Sequence, residues 1–290
     1  MNDNAILIID PLEHDLGDGF IVRRALPHKF ARHVGPFVFF DHMGPVRFAP
    51  GRGVDVRPHP HIGLATVTYL FEGAIEHRDS LGCVQTIRPG DVNWMTAGRG
   101  IQHSERTPGA ERAAGHTLQG IQVWVALPLE AEETEATFHH HPAASLPVIV
   151  RDGALMRLVV GTAFGQRSPA ATFSDMFYLG TEFEAGARLQ LPPEHEERAV
   201  YAVDQALEIG GTELRAGQIA ILPPHVDVTI HAPVAAKAII FGGAPVGDRH
   251  MWWNFVSSSR ERIEQAKADW LGARFGQIPG ETEFIPLPER

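Results

Sequence analysis

Cysteine is almost missing from this chain: Cys83 is the only one in 290 residues. No disulfide can form within the chain, so its fold must rest on a hydrophobic core, which a chain of this length can supply. A lone thiol is compatible with a reducing compartment, and a cytoplasmic location is expected. No apolar run is long enough to span a bilayer. The opening MNDNAILIIDPLEHD has neither the basic start nor the long apolar stretch of a secretory signal. Positive charge is also short: 25 Lys and Arg stand against 35 Asp and Glu, a net charge of −10. A broadly acidic surface disfavours phosphate contacts, so neither direct nucleic-acid binding nor a membrane partner is expected. A phosphate loop is lacking too. Gly17-Asp18-Gly19 reads as a turn, because no strand–GxGxxG–helix unit surrounds it.

What the chain has in excess is glycine (29), proline (22) and histidine (16). Glycine and proline punctuate short strands, which predicts an all-β body. FVFFDHMGP reads as an apolar strand stopped by Gly44-Pro45. ATVTYLFEG alternates, with Ala65, Val67, Tyr69 and Phe71 on one face. CVQTIRPGDVNWM reads as two strands joined at Pro89-Gly90-Asp91, and TLQGIQVWVALP as a strand ended by Pro128. The following LEAEETEATFHHHPAASLP reads as a polar connection. The second half then repeats the rhythm: Tyr201 stands where Tyr69 stood and Gly217 where Gly90 stood, which suggests a duplicated β domain. The end departs from this pattern. A serine cap, Ile263, Ala266 and Trp270 at helical spacing, and Gly272 predict one amphipathic helix, and ETEFIPLPER reads as extended.

Two pairs of metal-ligating residue types share one spacing. His59 and His61 open RPHPHIGLATVTYLFEG, and His103 and Glu105 follow in GRGIQHSERT. In a strand, residues i and i+2 share a face, so each pair projects together. If the strands are neighbours, four donors suited to a divalent transition metal converge. With so many histidines, about one His-x-His is expected by chance, and His139-x-His141 in the polar connection reads as that solvated case. The order of His-x-His, strand, glycine-rich turn and His-x-Glu is what marks the first pair. Cys83 reads as a small packed residue, His42 as closing a turn or lining a pocket, and His28 and His33 as lying on a solvated face.

PHPHIGLATVTYLFEG, RPGDVNWMTAGRGIQHSE, NFVSSSRERIEQAKADW and FIPLPE closely resemble the pirin family of the cupin superfamily, over nearly the whole chain. The resemblance implies two tandem cupin barrels (double-stranded β-helix, or jelly-roll) facing each other, with a C-terminal helix outside. It implies a metal-binding domain over 1–134, a linker over 135–147, a second cupin domain without ligands over 148–247, and a helix and tail over 248–290. The implied ligands are His59, His61, His103 and Glu105, and the implied metal is Fe(II), with Mn, Co, Ni, Cu or Zn able to use the same donors. Many relatives have GFET where this chain has GLAT, so Ala65 replaces a glutamate there. Counting from Tyr201 and Gly217 puts Leu191, Pro193, Ile230 and Ala232 at the matching positions of the second half, with His195, Glu197, His225 and His231 out of register.

Two functions follow. One is a quercetinase-like dioxygenase, opening a flavonol or similar enol with dioxygen and releasing carbon monoxide, with Glu105 as general base. The other is an iron-bound, redox-responsive regulatory protein acting through a protein partner.

Overall fold

A computed structural model describes residues 5–15 and 20–289, so the Gly17–Gly19 turn lies outside the described residues. The chain forms two compact units, one built mainly on residues 42–143 and the chain from 246 on, the other mainly on 23–41 and 144–245. Each unit pairs a four-stranded antiparallel sheet with a larger sheet.

In the first unit the four-stranded sheet runs Asp55–His61, Ile101–Arg106, Ile75–Asp79, Val84–Ile87. The larger sheet runs Thr137–His141, Val92–Thr96, Leu64–Glu72, His116–Ala126 and on to the Phe37–Phe48 strand. Its core lies between the sheets, with Met43, Leu70 and Leu118 meeting Ile75 and Ile87. The second unit repeats the order: Ala187–Leu191, Val228–Ala232, Leu207–Ile209, Thr212–Leu214 in one sheet, and Ile219–Ile221, Glu197–Ala202, Ala236–Gly243, Met176–Phe183 in the same sequence within the other. The repeat holds to the residue. Tyr69 pairs with Val92, and Tyr201 pairs with Ile219. The two barrels and the all-β class are as expected.

Three local readings change. The strand beginning at Phe37 does not stop at Gly44-Pro45 but continues to Phe48. Gly44 makes this possible: its φ is +70°, and a Cβ there would lie 2.2 Å from the Leu118 carbonyl oxygen. Leu64–Glu72 alternates in composition but is buried on both faces over most of its length. The polar connection contains a strand, Thr137–His141, which pairs with Val92–Thr96.

The C-terminal helix spans Arg260–Leu271, capped by the Ser259 hydroxyl, which accepts from the Arg262 N–H, and buries Ile263, Ala266 and Trp270. These side chains pack with Ile62, Phe255 and Phe275. The tail then runs back along the outer side of two strands of the four-stranded sheet. Gln102 donates to the Gly276 carbonyl at 2.6 Å, and the Ile285 N–H donates to the Pro58 carbonyl at 2.8 Å. The Glu281 carboxylate accepts from Ser104 at 2.9 Å and from Arg106 at 2.6 and 2.8 Å. Among the described residues no helix is long and apolar enough to cross a membrane.

Candidate metal centre

The Asp55–His61 and Ile101–Arg106 strands are antiparallel neighbours, with His59 opposite His103 and His61 opposite Ile101. The two-residue period turns the three imidazoles to one side. A ligand nitrogen from each lies within 4.8 Å of the other two. All three side chains are buried.

Their outward nitrogens are held. His59 Nδ1 lies 2.9 Å from the Arg57 carbonyl and His61 Nδ1 lies 3.2 Å from the Asn254 carbonyl. A carbonyl only accepts, so in both rings Nδ1 carries the proton and Nε2 keeps its lone pair. His61 Nε2 and His103 Nε2 stand 3.1 Å apart, a separation that calls for a proton or a cation between them. Burial drives the His59 pKa down to about 4 and holds His61 and His103 well below the ordinary imidazole value, with the neighbouring His59 adding to the effect on both. The three rings are therefore neutral near pH 7, the form that ligates. The cluster could hold a divalent transition metal. Trp124 sets its ring against His61, 5.1 Å between centroids at 76°.

Glu105 shares the strand and the site but does not join the three-nitrogen cluster. The register shifts between His103 and Glu105, which pairs with Val56. Three steps on one strand thus match two on the other, a bulge at Arg57-Pro58, while the pairing of the His103 strand with Ile75–Asp79 runs unbroken, so Glu105 keeps the face of His103 and its carboxylate is held by Gln122. The buried Glu105 carboxylate accepts a hydrogen bond from Gln122 Nε2 at 2.8 Å, and the same amide lies 3.3 Å from Thr68 Oγ1. Burial raises the Glu105 pKa, and the Gln122 bond opposes part of that rise.

Three residues at the site escaped the sequence reading: Gln122, His77 and Asp79. His77 and Asp79 were marked by the same signal as the ligands, a third i, i+2 pair of ligating types in EHRDS. His77 Nδ1 lies 3.2 Å from His103 Nδ1.

The remaining candidates fall outside the cluster. His42 closes no turn: it is buried within the Phe37–Phe48 strand, with Nε2 3.2 Å from the Gln119 amide. Cys83 is half-buried, and burial together with the Asp79 carboxylate pushes its thiol pKa up, which is the setting of an unreactive cysteine. In the Thr137–His141 strand His140 Nδ1 lies 2.8 Å from Asn93 Oδ1, and His139 is exposed. His33 is not merely solvated, since its Nδ1 lies 3.3 Å from the Glu197 carboxylate. Ala65 is fully buried and pairs with Val125 and Thr96. Strand alternation puts it on the face of its strand opposite Thr66 and Thr68, and Thr68 is the residue that reaches Gln122.

The second unit holds no such cluster among the described residues. There Leu191 stands opposite Val228 as His59 stands opposite His103. Leu191 and Pro193 thus match His59 and His61, as counting back from Tyr201 suggests, while the counterparts of His103 and Glu105 are Val228 and Ile230, two residues earlier than counting on from Gly217 suggests; Ile230 pairs with Ile209 as Glu105 pairs with His77. The connection from Ile219 to Val228 is two residues shorter than the one from Val92 to His103, and that deletion moves the count. Leu191, Val228, Ile230 and Ala232 belong to the apolar core of that unit. His195 lies 3.1 Å from Asp175 and 2.8 Å from the Thr162 carbonyl, and His231 lies 2.7 Å from Glu208.

Comparison with known proteins agrees with this architecture. Residues 19–125 match the Pirin family and residues 178–276 the Pirin C-terminal cupin domain. A pirin-like protein of Caulobacter vibrioides is 49% identical over 98% of this chain and 99% of its own length. The crystal structure of quercetin 2,3-dioxygenase from Acinetobacter baumannii superposes with a TM-score of 0.89 at 33% identity, covering 98% of this chain and 97% of that one. A bacterial pirin from Escherichia coli, solved in complex with nickel(II), shares the fold at 18% identity with a TM-score of 0.65, covering 83% of this chain and 100% of that one. Two cupin units, one bearing a histidine cluster and one filled with leucine and isoleucine, and these matches over both halves establish that the chain belongs to the pirin family.

Proposed function

We propose that the protein is a metal-dependent dioxygenase of the quercetinase type, acting on a flavonol or another enol-bearing small molecule with dioxygen. The observation that carries the reading is the convergence of three neutral, buried imidazoles beside a buried carboxylate. Support comes from the 33% identity to the Acinetobacter quercetin 2,3-dioxygenase. The same likeness favours catalysis over a purely regulatory role.

His59, His61 and His103 would hold the metal, with Glu105 as a fourth donor. Bound there, Fe(II), or Mn, Co, Ni, Cu or Zn in its place, would supply Lewis acidity and a template for an enolate and dioxygen. Glu105 is the general base that takes the enol proton. Its burial favours the protonated carboxyl and so strengthens the carboxylate as a base, while Gln122 orients the oxygen that receives its amide hydrogen. The backbone carbonyls of Arg57 and Asn254 fix the first two imidazoles before any ligand arrives.

The test is aerobic incubation of iron-loaded protein with quercetin, read as loss of its visible absorbance and release of carbon monoxide. Absence of turnover with every first-row divalent metal would remove the quercetinase reading.

A further inference from the structure

His77 and Asp79 lie on the Ile75–Asp79 strand, beside the strand that carries His103, which pairs directly with Asp79. Both side chains are almost fully buried, at 4% and 0% exposure. His77 Nε2 lies 2.8 Å from Asp79 Oδ2, and the other Asp79 oxygen accepts the backbone N–H groups of Leu81 and Cys83 at 2.9 and 3.0 Å. The Phe138 ring stacks on His77, 4.2 Å between centroids and 18° between planes.

The proton positions follow from these partners. A carboxylate only accepts, so His77 carries its proton on Nε2 and presents a bare Nδ1. That bare nitrogen lies 3.2 Å from His103 Nδ1, which must then supply the proton between them. His103 Nε2 is left as a lone pair. It faces the His61 Nε2 lone pair at 3.1 Å, an arrangement that a cation resolves and a proton-free gap does not. We propose that Asp79 and His77 are positioning residues of the metal centre: a two-step hydrogen-bond relay that locks His103 in the tautomer whose Nε2 is free to ligate. The proposal rests on the metal-site reading above and extends it.

The second unit is an internal comparison. Its Leu207 pairs with Leu214 as Ile75 pairs with Ile87, which puts Ile209 at the place of His77, and the shorter hairpin turns at Gly210-Gly211 with no counterpart of Asp79. Leu207 and Ile209 are fully buried in that unit's apolar core. The same fold therefore closes with isoleucine at the place of His77 and without a carboxylate beside it. The polar pair is present where the ligating histidines are present and absent where they are absent, so folding alone does not require it.

The experiment measures Co(II) affinity of the full chain by visible absorption titration, together with the ring-nitrogen protonation of His103 by 15N NMR of the metal-free protein, the resonance being assigned with His103→Ala. Wild type should bind Co(II) and carry the His103 proton on Nδ1. Asp79→Asn keeps an oxygen for Leu81 and Cys83 but turns an N–H toward His77. This reverses both hydrogen bonds, so the His103 proton should move to Nε2 and affinity should fall about 10- to 100-fold. His77→Leu, an apolar replacement like the Ile209 of the second unit, should weaken binding similarly, and His77→Gln should recover much of the loss, because one amide can accept from His103 and donate to Asp79. Circular dichroism of each variant separates misfolding from lost positioning. Unchanged affinity in Asp79→Asn and His77→Leu, or weakened affinity with the His103 proton still on Nδ1 in Asp79→Asn, would overturn the relay and leave the metal site standing. A wild type that binds no Co(II), Ni(II) or Fe(II) would overturn both.

Discussion

Gln122 and Glu105 are joined by a 2.8 Å hydrogen bond between strands of the two sheets of the first unit. The amide holds the carboxylate beside the histidine cluster without neutralising it. Replacing Glu105 with glutamine removes the base but keeps the size of the side chain. Glu105→Gln is expected to retain most of its metal and to lose turnover by about 10²- to 10⁴-fold. Metal content by mass spectrometry and quercetin turnover on the same sample check this. Undiminished turnover would remove Glu105 as the base.

The metal should depend on one unit alone. His59→Ala, His61→Ala and His103→Ala are each expected to abolish or greatly weaken binding. His195→Ala should leave metal content unchanged while costing about 1–3 kcal/mol of stability, because Asp175 and the Thr162 carbonyl lose their buried partner. His231→Ala should also leave metal content unchanged. Metal loss in either of these two variants would contradict the placement.

The metal-free protein should remain folded near neutral pH, since the core of the first unit is formed by Met43, Leu70, Ile75 and their neighbours and not by the ligands. Metal then adds stability by mass action. A chelated sample that lost its β-sheet circular dichroism would show the site to be structural.

That same metal-free state should weaken in acid. The His59 pKa is about 4 in the folded chain, against 6.5 for a free imidazole. Between these values the unfolded chain binds the extra proton, so stability falls as pH drops through that window. His59 alone accounts for about 3 kcal/mol, fully retained above pH 6.5 and lost by pH 4. His61 and His103 shift in the same direction. Urea unfolding of chelated protein at several pH values between 7 and 4 checks the slope. A flat profile would show that the three rings are solvated.

Much of this site could be read along the chain, because a strand's two-residue period converts spacing into facing. His59-x-His61 and His103-x-Glu105 were legible on that ground, and so was the duplication, through Tyr69 and Tyr201. The separation of Glu105 from the three nitrogens was not. The carboxylate is engaged by Gln122, a residue of the other sheet, and nothing in a linear reading places that amide beside Glu105. His77 and Asp79 were overlooked although their spacing matched, since nothing in a linear reading says that their strand borders the His103 strand. The Thr137–His141 strand was masked by its polar composition. It is an edge strand, held by a sheet neighbour and by the stacking of Phe138 on His77.

Glu281→Ala should release Ser104 and Arg106 together. Burial here is partial, and the charge-assisted bonds make a loss of about 1–3 kcal/mol the expected result in a thermal or urea melt. A melt identical to wild type would mean that the tail adds no stability through this carboxylate.

The tail also sets an order of events in biosynthesis. Gln102 and the Gly276 carbonyl it bonds are 174 residues apart. At about 5–20 residues per second, the His103 strand leaves the ribosome on the order of 10–30 s before its covering segment has been made. During that interval Pro58, Gln102, Ser104 and Arg106 lack their final partners, and the strand pair that bears the histidines is bare on its outer side. Metal captured on the nascent chain would therefore meet a looser cradle than metal delivered to the released protein.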